Sequence, residues 1–374
     1  MDTTAEELAD RVVAALLGFA DVLAIHVGDR MGWYGSLAVD GPASPQALAQ
    51  RTGTQERYAR EWLEQQAVGG LLSVAVDGEG ERIFHLPDAT REVLTDPHSL
   101  LHMTPFARLF AAVGPVFPRL LDAYRHGGGV SWDELGDEAR MAQADGNRPW
   151  YESRLAAALA SVPAVDAAMR RPGARVLDVG CGGGWSSIAI ATAYPGAAVT
   201  GVDVDLRSVE MAARNAAESG VEVAFRVADA ATAFGGPYDI AFAFECVHDM
   251  PRPVEVLSSI RESLAPGGSL VVMDEAVAPE FAPQGDELER LMYAFSLFVC
   301  LPDSPLGLSL GREVRPRIDS CSSSPGSVSP MIPRRPQQTF GSGWSGLATS
   351  SRASRGCSPP KSGATSMSPG CGCW

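Results

Sequence analysis

Several short stretches of this chain hold residues whose types and spacing could do chemistry. Val176 to Trp185 reads VLDVGCGGGW, an apolar run, an aspartate and then Gly180, Gly182, Gly183 and Gly184. Further along, GVDVD supplies Asp203 and Asp205, VADA supplies Asp229 and Ala230, and FECVHDM supplies Glu245, His248 and Asp249. Asp274 and Glu275 close the apolar run SLVVMDEAV. A glycine cluster after such a run lets backbone N–H groups approach a ligand at a helix N-terminus. Acidic residues at the ends of apolar runs suit ligand hydroxyls and amines. A histidine among carboxylates suits proton transfer near neutral pH.

The ligand is narrowed by what the glycine loop lacks. The dinucleotide fingerprint G-x-G-x-x-G needs glycine where Trp185 stands, so a nicotinamide or flavin fits poorly. Asp178 lies two residues before Gly180, and its carboxylate would repel a pyrophosphate on the following helix N-terminus. It suits a ligand with a cationic amine and no phosphate. S-adenosylmethionine, with an ammonium and a sulfonium, is such a ligand.

From Arg175 to Glu275 the chain resembles class I methyltransferases, with the loop at Asp178 as motif I. The resemblance implies that Gly180, Gly182 and Gly184 line the cofactor and that Asp203 takes both ribose hydroxyls, with Asp205 a substitute. It further implies that Asp229, followed by Ala230, faces the adenine amine and that Glu245 lies beside the methionine moiety. LAPGGSLVV matches the family's entry into its fifth strand. VHDM resembles the motif of small-molecule O-methyltransferases with an N-terminal winged-helix dimerisation domain. By that likeness His248 is the general base, oriented by Asp249, Asp274 or Glu275. Met250 stands where that motif has an aromatic residue. A histidine that only shapes the pocket is the competing reading of His248, and helix caps or turns are the competing readings of Asp203, Asp205 and Asp229.

The elements that must position these groups are legible in outline. After Arg175, strand-like runs alternate with helical ones, which predicts an α/β domain, a doubly wound, Rossmann-like methyltransferase sheet. YDIAFAFECV and SLVVMDEAV are almost continuously apolar, as buried strands are, while VEVAFRVAD alternates as an edge strand does. Ahead of this sheet the chain reads as mainly helical. Ser44 and Pro45 open one helix, Gly69 and Gly70 close the next, and DGEGE turns a hairpin between LLSVAV and RIFHL. That order predicts a winged helix. The helix before it, AEELADRVVAALLGFADVLAIHVG, is too apolar to stand alone, so a homodimer through the N-terminal domain is expected. Pro105, Pro115 and Pro118 predict short helices over the segment that follows. Residues 1–100 are thus assigned to the winged-helix domain, 101–170 to a helical linker and pocket cover, and 171–305 to the cofactor domain.

Composition excludes several functions. Lysine occurs once, at Lys361, so no P-loop or pyridoxal Schiff base can be built in the body of the chain. A formal charge of −15 disfavours nucleic acid and anionic membranes as partners. No apolar run approaches a membrane span, and the polar N-terminus does not resemble a signal peptide, so a cytoplasmic location is expected. Cys181, Cys246 and Cys300 read as small buried hydrophobes, and the remaining cysteines match no zinc spacing, so no metal is expected. Two functions follow. One is methyl transfer from S-adenosylmethionine to a small-molecule acceptor, at a hydroxyl oxygen. The alternative is a winged-helix DNA-binding regulator with a ligand-sensing methyltransferase-like domain. The helix TQERYAREWLEQQ sets Arg57 and Arg60 against Glu56, Glu61 and Glu64, which favours the enzyme.

Residues 306–374 change character, with eight basic residues against two acidic ones and abundant serine, proline, glycine and cysteine. This composition predicts a disordered, low-complexity tail. It also suggests a reading frame shifted near residues 302 to 312, which would leave the fifth strand as an unpaired edge.

Overall fold

The computed structural model describes residues 3–232, 234–275, 277–278, 281, 283–303 and 346–350, the last five as backbone. It forms two compact units, Met1–Phe117 with Glu134–Ser153, and Pro118–Asp133 with Arg154–Trp374.

The first unit begins with α1 (Ala5–Arg30), opened by a reciprocal cap between Thr4 and Glu7. Short α2 (Trp33–Val39) and α3 (Pro45–Thr52) follow. Ser44 caps α3 and Pro45 occupies its first turn, as the sequence predicts. Helix α4 (Glu56–Val68) ends at Gly69. Strands β1 (Ser73–Val76) and β2 (Arg82–His85) pair antiparallel, Ser73 opposite His85, which completes the winged helix. Trp33, Tyr34, Leu48, Trp62, Leu63 and Phe84 form its core. Helix α5 (Asp88–Thr95) closes the motif.

Helix α6 (Thr104–His126) corrects an expectation, because it runs continuously past Pro115 and Pro118. Pro105 sits in the first turn, where a missing N–H costs nothing. Each inner proline removes one backbone bond but keeps a helical φ, so the rest of the ladder carries the helix through. Helix α7 (Trp132–Trp150) breaks at Gly136, whose φ is 85°. A π-helical turn, Tyr151–Leu155, leads to α8 (Ala156–Ala160) and α9 (Pro163–Met169).

The second unit is built on β3 (Arg175–Val179), α10 (Trp185–Ala193), β4 (Ala198–Asp203), α11 (Leu206–Ser219) and β5 (Ala224–Val227). They are followed by β6 (Tyr238–Phe244), α12 (Pro253–Ser263) and β7 (Leu264–Asp274). These strands form a parallel sheet in the order β5-β4-β3-β6-β7. The order reverses between β3 and β6, so the carboxyl ends of those two strands open a crevice. Burial follows the sequence pattern, since Ile240, Ala241, Phe242 and Ala243 of β6 are fully buried while β5 lies exposed at one edge. Helix α13 (Glu287–Phe295) continues through a π-helical turn, Ser296–Cys300, to a last turn, Leu301–Asp303.

Strand β8 (Gly346–Ser350) pairs antiparallel with β7, Leu270 opposite Ser350 and Asp274 opposite Gly346. The expectation of an unpaired fifth strand is thereby corrected, because the exposed row of β7 backbone groups finds partners in this short segment of the tail. The remainder of the expected disordered tail lies outside the described residues.

Candidate functional site

The candidate cofactor-binding and catalytic residues lie at the carboxyl ends of the strands or in the loops just beyond. The loop after β3 turns at Gly180, Gly182 and Gly184, all with positive φ. At Gly184 (φ 81°) a Cβ would stand 2.7 Å from that of Ala212, so glycine lets α10 and α11 close on each other. At Gly182 (φ 50°) a Cβ would meet no atom within 4 Å. Its bare backbone faces open space, as a loop that must touch a ligand requires. The Gly182 N–H donates to Asp203 Oδ2 at 2.8 Å, tying this loop to the end of β4.

The acidic residues divide by environment. Asp178 is 1% exposed, and its Oδ2 accepts from the hydroxyls of Ser186 and Ser187, each at 2.6 Å. Burial lifts its pKa to about 6, against the pull of those two hydroxyls. It lies beneath the glycine loop and fixes the first turn of α10. Asp203 accepts from its own loop at Asp205 N, 2.9 Å, and burial raises its pKa too. Asp205 is the N-cap of α11, receiving Ser208 N at 2.8 Å, so the helix-cap reading holds for Asp205. Asp229 is half exposed, accepts from Ala231 N at 2.9 Å and pairs with Arg252 at 2.6 Å, while Ala230 packs partly buried against the core.

Glu245 adopts φ 50°, left-handed backbone that costs a non-glycine residue about 1–2 kcal/mol. Its N–H bonds Met273 O at 2.8 Å, which fixes the turn out of β6 beside β7. Its Oε1 is buried without a hydrogen-bond partner. Burial, reinforced by Asp274, pushes its pKa up to about 8. Backbone strain and a buried polar atom without a partner are features that gather at functional sites.

His248 sits in a single 3-10 turn, Val247–Asp249. Its Nδ1 is hydrogen-bonded to Asp274 Oδ1, while Nε2 faces Asp249 Oδ1 at 3.1 Å and Glu275 Oε1 at 3.8 Å. Burial disfavours the imidazolium, but the bonds from Asp249 and Asp274 outweigh it and hold the pKa far above the ordinary histidine value. Of the three orienting carboxylates the sequence offers, Asp274 takes the nitrogen that fixes the ring. The Cys300 thiol also bonds this imidazole, with burial lifting its own pKa to about 12.

Reading the sequence missed Ser186, Ser187, Arg252 and Cys300. The serines stand at the start of the helix after the loop and were within reach of a spacing argument. Cys300 is a correction, because it is half-buried beside His248 rather than part of the apolar core. No local pattern links two residues so far apart in the chain.

Comparison with known proteins is consistent with this geometry. Residues 170–298 match the family model of a methyltransferase domain, and residues 20–96 that of an Rv2258c-like winged HTH domain. The chain is similar to the ubiquinone biosynthesis O-methyltransferase of Caulobacter sp. (strain K31), 39% identical over 103 residues, 27% of this chain and 40% of that protein. The enzyme of the same description from Bordetella avium (strain 197N) is 43% identical over 99 residues, 26% of this chain and 40% of the relative. The chain thus spans less than half the length of these curated relatives. Among solved structures, the mitomycin 7-O-methyltransferase MmcR superposes with a TM-score of 0.59 at 22% identity, over 81% of this chain and 88% of that one. Human N-acetylserotonin methyltransferase, in complex with SAM, gives 0.60 at 19% identity over 80% and 88%. The fold is therefore that of a methyltransferase domain, preceded in the chain by a winged helix–turn–helix domain.

Proposed function

We propose that this protein transfers a methyl group from S-adenosylmethionine to a hydroxyl oxygen of a small-molecule acceptor. The observation that carries the cofactor is the partnerless, buried Oε1 of Glu245 at the β3/β6 crevice, next to a glycine loop open above Gly182. A cationic ligand supplies what that oxygen lacks. When bound, the cofactor presents an electrophilic methyl on a cationic sulfur.

The chain's own residues then divide the work. Gly180, Gly182 and Gly184 give the loop its close approach, and Asp178 holds that loop from beneath. Asp203 receives the ribose hydroxyls, Asp229 with Ala230 borders the adenine, and Glu245 takes the cationic methionine end. His248, after Nε2 has yielded its own proton to solvent, removes the acceptor's proton there while Asp274 holds Nδ1, so the ring keeps one orientation through the reaction. Asp249 and Glu275 stand on the Nε2 side, where the imidazolium forms. Their electrostatic contacts with Nε2 give way to the acceptor hydroxyl when it binds.

The DNA-binding alternative finds little support on α4, where Arg60 pairs with Glu56, Arg57 with Glu61 at 2.9 Å, and Arg82 of the wing with Glu64. Arginines neutralised on their own helix leave little positive charge for phosphates. We read α1 as the dimer element, since Leu8, Val12, Leu16, Leu17 and Phe19 are each more than half exposed along it. A cytoplasmic location accords with Cys181, Cys246 and Cys300, all free thiols. Among the described residues no helix is long and apolar enough to cross a membrane.

Calorimetry with S-adenosylmethionine, followed by mass spectrometry of hydroxylated acceptors incubated with labelled cofactor, tests the assignment. Saturable binding and a labelled methyl ether support it, and absence of cofactor binding overturns it. Light scattering should show a dimer that Leu16→Glu with Leu17→Glu converts to monomer.

A further inference from the structure

The surroundings of His248 hold more than a base requires. One ring nitrogen of His248, a carboxylate oxygen of Glu275 and Cys300 Sγ all lie within 4.8 Å of one another. Asp249 Oδ1 is buried without a well-formed hydrogen bond, 3.1 Å from Nε2. Among the described residues no arginine pairs with Asp249, Asp274 or Glu275, so three carboxylates share one imidazole.

We infer that His248, Glu275 and Cys300 form a site for a borderline-soft divalent cation of the zinc class, with Asp249 beside it at Nε2. Imidazole and thiolate select zinc or cobalt over magnesium or calcium, which prefer all-oxygen shells. Tetrahedral zinc, with bonds of about 2.0–2.3 Å, sets its ligand atoms roughly 3.3–3.8 Å apart. The 3.8 Å from Nε2 to Glu275 matches that spacing, and the 4.8 Å bound on the other pairs leaves about 1 Å to close. Asp274 at Nδ1 supplies the outer carboxylate that orients metal-binding histidines and leaves Nε2 for the ion. On binding, the Cys300 thiol and the Nε2–H of His248 each release a proton to solvent.

The site comes from tertiary structure alone. β6 delivers His248 and Asp249, β7 delivers Glu275, and the turn after α13 delivers Cys300. If His248 is also the base proposed above, the cation takes the same Nε2 lone pair, so cation binding and proton abstraction exclude each other. The cation would then act as an inhibitor.

The test uses the full chain, stripped by chelator and titrated with Co2+, with the tail cysteines Cys321, Cys357, Cys371 and Cys373 replaced by serine. One Co2+ per chain should bind with a thiolate-to-cobalt absorption band. Cys300→Ser should abolish that band, and His248→Gln should weaken binding at least tenfold. A band that survives Cys300→Ser, or no binding at all, overturns the inference. S-adenosylmethionine binding, measured separately, reports on the proposed function alone, so the two readings can fail independently.

Discussion

The N–H of Gly182 donates to Oδ2 of Asp203 at 2.8 Å, which joins the loop after β3 to the end of β4 and leaves the Gly182 Cβ position facing open space. Gly182 and Gly184, two residues apart, therefore respond oppositely to alanine. Gly182→Ala should cost only the left-handed strain of about 1–2 kcal/mol in stability, yet weaken binding of S-adenosylhomocysteine at least tenfold. Gly184→Ala drives a methyl into Ala212 and should add about 1–3 kcal/mol of overpacking to the same strain. Paired thermal melts and calorimetry separate these effects. Equal losses of stability would show that the space above Gly182 is not a ligand's.

Glu245 is strained for a purpose that its removal should reveal. Glu245→Gly relieves the positive φ and takes a partnerless carboxylate out of a buried place. The variant should be about 1 kcal/mol more stable and bind the cofactor less tightly. Chemical denaturation and calorimetry on one preparation suffice. Undiminished affinity would remove this carboxylate from the cofactor site.

The partnership of Asp274 with His248 predicts a split between binding and turnover. His248→Ala should lower kcat by about 10² to 10⁴ with cofactor affinity nearly intact, the range general-base catalysis supplies. Asp274→Asn should lower kcat without changing affinity, because the ring loses its fixed orientation. Steady-state kinetics beside binding isotherms would expose the contrary case, in which affinity falls in step with kcat and the histidine only shapes the pocket.

In the winged-helix unit, burial and the guanidinium of Arg108 together depress the pKa of His102 to about 4, against the opposing pull of Asp145 and Asp96. The unfolded chain binds this proton near pH 6.5 and the folded chain only near pH 4. Stability from the neutral ring is thus complete above about pH 6.5 and declines as pH falls toward 4, by about 3 kcal/mol in all. His102→Gln should flatten that part of the profile. Urea melts at pH 7, 6, 5 and 4.5 measure it, and parallel profiles for the two proteins would contradict the assignment.

The strands, helices and glycine turns of both units were legible because each rests on local physics. A winged helix reads from Ser44, Pro45, Gly69 and the DGEGE turn, and a parallel sheet from apolar runs too continuous to face water. That Asp203, Asp229, Glu245 and His248 fall at or just past strand ends was legible for a related reason, since the apolar runs mark where each strand stops. What remained hidden depends on groups that meet only across elements. Proline spacing in α6 wrongly suggested breaks, because a long helix outweighs the loss of single backbone bonds. Tertiary structure alone made Asp203 a loop anchor, gave Arg252 to Asp229 and chose Asp274 among three carboxylates for Nδ1. It also brought Cys300 to His248. Such contacts depend on where separate elements dock, and that is set by the packing of whole faces rather than by any neighbouring residue in the chain.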